Sequence, residues 1–590
     1  MYLSKQNNII FCFLLCSSLF GYAQTEKFPL GNYEELTDEK AYDGIDIWSK
    51  QTDTQLSWGT TDTRYIKLNV PSIRKGLNFS AKAWKGERVN AQAVLWTKKD
   101  LSNVTVTVSD LKCGASVIPS SVIKTNFVRY VMTDELNKDG EGACGYRLNK
   151  AEWDSSLVAD VLDIVKRIDV KANTVQPVWV TIWIPSGTKA GKYNGKLTVS
   201  GENTSPMTLN IDLEVLNRTL PSPKDWHFHL DLWQNPYSVV RYYQVPLWSP
   251  AHFDAMRPIM QLLANAGQKV ITATIMHKPW NGQTEDPFDA MVGKTKKIDG
   301  SWVYDYTIFD QWVEFMQSVG IDRQINCYTL IPWALKFDYF DQATNRVLFV
   351  KTEPGNTLYN EYWGNFLADF AKHLQQKGWF DKTTIAMDER PLESMIETIK
   401  LIRSINPEFK ISLAGHYHPE IEKELYDLCI AFGYQYPGEV KADREKAGKI
   451  STVYTCCTEA RPNTFTFSPP AEAAWIGWHV MAANYDGYLR WSYNSWTIDP
   501  LRDSRFRTWA AGDCYLVYPG VRSSIRMERL IEGIQDYEKC RILKEEFTQK
   551  EEKAKLDKLN DLISRFTTEE LVKQGANKMV ENARKELNEY

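Results

Sequence analysis

Two rhythms of apolar positions divide this chain. From residue 24 to about 220, short runs alternate apolar with polar residues or are rich in β-branched ones. They lie at 65–70, 91–97, 104–108, 178–184, 196–199 and 209–215, with Gly, Asn and Ser clusters between them. Period-two alternation places every second side chain on one buried face, so these runs predict an antiparallel β-sandwich. Leu220-Pro221-Ser222-Pro223 is a stiff linker, because proline fixes φ, and it marks the domain boundary.

Beyond the linker the rhythm changes. Eight apolar runs of strand length lie at 226–233, 269–277, 324–330, 384–389, 410–416, 429–436, 451–457 and 487–491. Between most of them apolar residues recur at helical spacing, over 255–266, 309–319, 363–376, 392–404 and 471–483. Strands alternating with helices imply a parallel sheet. Eight such units over roughly 300 residues predict a (β/α)8 TIM-type barrel. The expected organisation is a leader at 1–23, a sandwich at 24–220, a barrel at 224–545 and a C-terminal helical extension at 546–590. The long connection between the third and fourth strands is expected to carry loop insertions. In the tail, Ile525, Leu530, Ile534 and Tyr537 keep a rough helical spacing. Its first part is expected to close the barrel, its last part to pack outside, and its many charges to face solvent.

The first residues read as a secretory leader. Lys5 precedes an apolar run from Ile9 to Phe20, and Gly21-Tyr22-Ala23 supplies small residues for cleavage, leaving Gln24 first. The run is too short to span a membrane comfortably. Leu14-Leu15 before Cys16 is a poor lipidation context, and no later segment reads as transmembrane. The mature protein is therefore expected to be periplasmic or secreted. Its eight cysteines show no Cys-x-x-Cys spacing, and most lie in apolar runs, as buried free thiols do. Cys113 and Cys144 stand as a candidate disulfide in an exported chain.

A net charge of −4 without a basic stripe argues against nucleic acid or an anionic membrane as partner. The load of 21 Trp and 29 Tyr is heavy. Core packing accounts for most of it, and sugar C–H faces that stack on indole rings offer a second use. Composition leaves both open.

The chemistry concentrates in Met387-Asp388-Glu389-Arg390-Pro391. Pro391 suits a helix start and disfavours α geometry at Arg390, so the fourth strand should end there. That places two adjacent carboxylates at the C-terminal end of a barrel strand, where such enzymes keep their acids and bases. Neighbouring Cα atoms are only ~3.8 Å apart, too close to flank a sugar ring as the usual glycosidase pair does. Adjacent carboxylates suit another geometry, in which a 2-acetamido oxygen of the substrate is the nucleophile. One carboxylate orients the acetamido nitrogen, and the other protonates the leaving oxygen and later activates water. Two close carboxyl groups also push their pKa values apart. Arg390 offers the competing structural explanation, an ion pair with either acid.

Further candidates lie at predicted strand ends. They are His416 and His418 at the fifth, Tyr434 and Tyr436 at the sixth, Trp491, Asn494 and Trp496 after the eighth, Trp233 at the first and Trp333 after the third. A Tyr hydroxyl suits the acetamido carbonyl and a Trp the floor of a sugar ring.

With these features the chain resembles glycoside hydrolase family 123, the β-N-acetylgalactosaminidases. The resemblance rests on the order sandwich then barrel, on 387–391, on 512–520 (Gly-Asp-Cys-Tyr-Leu-Val-Tyr-Pro-Gly), on 524–528 (Ser-Ile-Arg-Met-Glu) and on 533–538 (Gly-Ile-Gln-Asp-Tyr-Glu). It implies exo-release of terminal β-linked N-acetylgalactosamine from glycans such as those of glycosphingolipids, with retention through an oxazoline. It makes Asp388 the acetamido-orienting residue and Glu389 the acid/base, and requires no cofactor or metal. The family 20 pattern His-x-Gly-Gly-Asp-Glu is absent, since Ile385-Ala386-Met387 precedes the pair. A broader β-N-acetylhexosaminidase is therefore the second choice.

Two readings from other classes remain. Histidines 227, 229, 277 and 416 suggest a metal-dependent hydrolase, although His227-x-His229 sits early in its strand. A non-catalytic glycan-binding barrel is the other. The sandwich is assigned a structural role.

Overall fold

A computed structural model describes residues 28–38, 45–134, 144 and 155–590. The expected leader, 1–23, lies outside them. Among the described residues no helix is long and apolar enough to cross a membrane.

The sandwich follows from period-two burial. In Thr204–Thr219, Leu209, Ile211, Leu213 and Val215 are buried, whereas the residues between them are not. A six-stranded antiparallel sheet runs in the order Thr54–Trp58, Arg88–Thr97, Thr174–Trp183, Ile123–Thr133, Ser156–Asp163, Ser523–Ser524. It faces a second sheet built on Asn78–Lys85, Thr204–Thr219, Gly191–Gly201, Leu101–Val108 and Arg167–Val170. Leu95, Val178, Val180, Leu197 and Leu213 belong to the shared core. Two expectations need correction. Asn78–Lys85 pairs in parallel with Thr204–Thr219, so the sandwich is not wholly antiparallel. The run at 65–70 forms no strand. Its Tyr65 is buried with Trp48, Val94, Trp96 and Val175, and its hydroxyl accepts a hydrogen bond from Thr60 N at 2.9 Å. Apolar residues here plug a core rather than extend a ladder.

All eight expected barrel runs become strands of one parallel sheet: His229–Leu232, Val270–Thr274, Gln324–Tyr328, Thr383–Met387, Lys410–Gly415, Asp427–Ala431, Ile450–Tyr454 and Gly487–Arg490. The seam between the first and second strands carries a backbone bridge from Leu230 to Gln268. Two glutamine side chains extend it, because an amide carries a donor and an acceptor as the backbone does. Gln268 Oε1 accepts from Leu232 N at 3.0 Å, and Gln234 Oε1 accepts from Thr272 N at 2.9 Å. The barrel interior includes a buried polar network: Gln324 Nε2 donates to Asp427 at 2.7 Å, and Thr384 Oγ1 donates to Asn326 at 2.7 Å.

The long connections hold more than loops. Gly293–Lys296 and Trp302–Asp305, from the second connection, join Lys336–Asp341 and Arg346–Lys351, from the third, in a four-stranded sheet. One face of it packs on the helix Thr357–Lys377 through Trp302, Tyr304 and Phe337.

The tail departs from expectation. The helix Ile525–Gln549 runs through the boundary drawn at 545. Its charges up to residue 539 do not face solvent: Arg526, Glu528, Arg529, Glu532, Asp536, Glu538 and Lys539 are all buried. Each has a partner on another element. Arg526 meets Asp160 at 2.9 Å, Arg88 meets Glu528 at 3.2 Å, and Glu538 accepts from the backbone N–H groups of His227 and Phe228 at 2.6 and 2.8 Å. Buried charges persist only when paired in this way. The helix crosses Pro470–Ala482 at two glycines: a Cβ on Gly477 would stand 2.2 Å from Gly533 O.

Candidate active site

The fourth strand ends at Met387, and a turn in which Arg390 N donates to Asp388 O at 2.7 Å carries the chain towards the helix Leu392–Ile405. That turn leaves Asp388 and Glu389 lining one cavity of ≈ 610 Å³ at the C-terminal mouth of the barrel. Asp388 is buried, and its Oδ2 accepts a 2.7 Å hydrogen bond from Trp333 Nε1. Its Oδ1 is buried without a partner. Burial pushes the Asp388 carboxyl up to about 6; the Trp333 hydrogen bond and Arg390 oppose this, and the Glu389 charge adds to it. Glu389 Oε1 accepts from the Tyr454 hydroxyl. The Arg390 guanidinium lies over the Trp333 ring, 5.0 Å from its centre, and forms no ion pair with either acid. The structural explanation for the pair is therefore not the one realised.

The cavity also takes in Trp233, Trp333, His416, Tyr434 and Trp491 from the expected set. Trp233 stacks on Trp280 with ring centres 5.0 Å apart, and His416 meets Tyr434 edge-on at 4.6 Å. Trp491 is fixed by its indole N–H, which donates to Asp513 Oδ2 at 3.1 Å, while Asp513 Oδ1 pairs with buried Arg490 at 2.6 Å. Four expected residues do not line the cavity, half-buried His418 among them. Tyr436 turns inward and donates to Leu428 O, and Asn494 is fully buried, donating to Asn235 O at 2.8 Å. Trp496 likewise is core, its indole donating to Val517 O at 2.8 Å. Both tyrosines, Tyr434 and Tyr436, lie past the end of the sixth strand, Asp427–Ala431, so the loop path and not strand alternation decides which of them faces the mouth. The tryptophan load is thus divided, with Trp312, Trp363, Trp475, Trp478 and Trp496 packing and Trp233, Trp280, Trp333, Trp491 and Trp509 around the cavity.

Sequence reasoning missed Tyr454, Trp280, Trp509 and a third cavity carboxyl, Glu459. Tyr454 ends the seventh strand, so the rule that flagged His416 would have found it. Trp280 and Trp509 sit in loops whose approach only the fold decides. Glu459 Oε2 accepts from Cys456 N at 2.8 Å, and burial raises its pKa.

The histidines are dispersed. His229 begins the first strand, 3.6 Å from Asp427, whereas His416 follows the fifth strand at its opposite end. His277 pairs with Asp289 at 2.8 Å. Among the described residues no group of three or more His, Cys, Asp or Glu has metal-holding geometry. The disulfide is also not the one expected: Cys144 bonds to Cys457, and Cys113 is free. Both bonded cysteines line the cavity. The sandwich, which carries Cys144 between two of its strands, therefore supplies cavity wall besides any structural support.

Comparison with known proteins agrees with this geometry. The family model described as glycoside hydrolase 123, catalytic domain, matches residues 233–543, and the glycoside hydrolase 123 N-terminal domain matches 58–201. Among solved structures, a family 123 glycoside hydrolase from Clostridium perfringens, described for glycolipid glycan hydrolysis, superposes with a TM-score of 0.81. It is 27% identical over 91% of this chain and 98% of its own. A Bacteroides ovatus GH5 xyloglucanase aligns over 81% of this chain and 100% of its own, with a TM-score of 0.27 and 9% identity. No curated protein matches the chain in sequence.

Proposed function

The chain belongs to glycoside hydrolase family 123, and from that premise we propose that it releases terminal β-linked N-acetylgalactosamine from glycans, those of glycolipids included, by substrate-assisted catalysis. One observation carries this reading: Asp388 is buried at the cavity wall with one oxygen held by Trp333 and the other without a partner. A buried acceptor left unpaired is expensive. The N–H of a 2-acetamido group is the donor that satisfies it, and an ionised Asp388 then favours the positive charge that develops on that group.

In the proposed reaction the acetamido carbonyl oxygen attacks the anomeric carbon as the glycosidic C–O bond breaks. Glu389 gives its proton to the leaving oxygen, and an oxazolinium forms beside Asp388. Glu389 then takes a proton from water as that water opens the ring from the opposite face, so two inversions give retention. The Tyr454 hydroxyl holds one Glu389 oxygen, leaving the other to carry the proton. The indole faces of Trp233 and Trp491 suit the apolar side of a pyranose.

Release of nitrophenol from the β-N-acetylgalactosaminide, its gluco epimer and the unacetylated β-galactoside tests this. Hydrolysis of the first alone supports the reading and its C4 preference, and hydrolysis of the unacetylated sugar overturns the mechanism. Glu389→Gln should spare nitrophenyl substrates relative to poor leaving groups. Asp388→Asn should slow all acetamido substrates, by roughly a hundredfold or more, and near-native rates in that variant would refute the role of Asp388.

A further inference from the structure

The four-stranded insertion sheet has a second face that, apart from His277 at one end, is largely open. Its register places Val303, Thr295, Phe340 and Val347 side by side across all four strands, and Phe349 follows two residues on. A strand face open to water is ordinarily polar. Here Val303 is 43% exposed, Val347 58% and Phe349 48%, and Ile298 in the adjoining hairpin turn is 75% exposed. The opposite face already supplies the packing on the helix Thr357–Lys377, so these residues are not needed for the core. Contiguous exposed apolar patches of this kind mark contact surfaces.

Two connections tie the patch to the catalytic mouth. The ring of Phe349 stands 6.3 Å from that of His277, three residues before Trp280 of the cavity wall. Lys336 begins its strand three residues after Trp333, the residue that holds Asp388. Three residues of chain reach at most ~10 Å, so patch and cavity share one edge of the molecule. The patch also has a cationic rim. Lys336 lies 4.3 Å over the Phe349 ring, and Lys351 is its cross-strand neighbour on the same face. Both are exposed, and among the described residues neither is in an ion pair. Asp305 and Asp338 share the face, but each carboxylate accepts a backbone N–H, from Thr307 at 2.9 Å and His277 at 3.4 Å.

We propose that this face docks the protein on a lipid surface, its apolar side chains entering the headgroup boundary and its rim meeting lipid phosphates, so that the catalytic mouth opens beside the membrane. An exposed apolar row flanked at one end by flexible cations is an arrangement an interfacial contact uses. The net charge of −4 works against attraction of the molecule as a whole, so the contact is local to the patch.

Co-sedimentation of the full chain with vesicles of phosphatidylcholine, and of phosphatidylcholine with phosphatidylglycerol, tests it. The wild type should bind both, more to the anionic mixture. Val347→Asp with Phe349→Asp should lower the bound fraction at least about fivefold, and Lys336→Glu with Lys351→Glu should abolish the anionic increment. Matching thermal unfolding curves confirm that the variants fold. Vesicle binding needs no substrate, so its outcome is separate from that of the proposed galactosaminidase activity. Given that activity, the apolar double variant should keep its rate on a soluble nitrophenyl sugar and lose rate on a vesicle-borne glycolipid. Equal vesicle binding by wild type and variant would overturn the proposal. So would a wild-type dimer in light scattering that the variant dissolves, since the face would then be an interface between copies.

Discussion

In the folded protein the Asp388 carboxyl favours its neutral form, at about 6 against an ordinary 3.8, mainly because it is buried. The folded state therefore binds this proton more tightly than the unfolded chain. The sign follows: the stability tied to this group is fully present below about 3.8 and is lost as pH rises through about 6. Asp388→Asn removes the ionisation, so the variant should be more stable to unfolding than wild type near pH 7.5, by up to about 3 kcal/mol, with no such advantage near pH 4. Identical melting differences at the two pH values would contradict it. Activity should run the opposite way: kcat/KM should fall below about pH 6 as Asp388 takes up a proton and loses the charge that faces the acetamido group. The pair itself was legible at this scale, because Pro391 ends the strand and a barrel strand end is a defined place. Trp333 as the partner of Asp388 was not, since an indole N–H reaches it from a loop 55 residues away in sequence.

At the scale of elements, the family-like run at 533–538 is structural. Gly533 lets two helices touch, and Gln535 trades two hydrogen bonds with the Arg88 backbone, 2.7 and 2.9 Å. Asp536 accepts from Trp478 at 2.9 Å, and Glu538 from the first barrel strand's approach. A methyl group at Gly477 has no room against Gly533 O. Gly477→Ala should therefore cost roughly 2–4 kcal/mol in denaturant unfolding, while Gly187→Ala, where a Cβ meets nothing within 4 Å, should cost little. Barrel strands were legible because burial on both faces makes short continuous apolar runs. The insertion sheet was not, because Arg346–Lys351 pairs with a strand whose own neighbour comes from a different connection.

Across the whole molecule, the devices that join sandwich and barrel include the strand Ser523–Ser524 in the sandwich sheet, the paired charges of Ile525–Gln549, and the Cys144–Cys457 bond. The bond spans 313 residues of sequence and ends in the cavity wall. Replacing both cysteines by serine should lower unfolding stability by about 2–4 kcal/mol and raise KM more than it lowers kcat, because the wall moves while Asp388 and Glu389 stay on the fourth strand. An unchanged KM would assign the bond to stability alone.

What the chain determined by itself is whatever depends on local periodicity. The alternation of the sandwich, the eight strands in order, and two acids at a strand end before Pro391 all follow from residues near one another in sequence. What only the tertiary structure decided is which distant groups meet. Charges at 526–539 were indistinguishable from a solvated helix face until the sandwich supplied Asp160 and Arg88. Cys113 stood as the candidate partner of Cys144 until the fold brought Cys457 to a Cα separation of 5.3 Å. Tyr436 and Asn494 left the cavity for backbone carbonyls that no sequence spacing announces. The physical reason is common to all: pairing energies depend on distance and burial, and both are set by the packing of elements far apart along the chain.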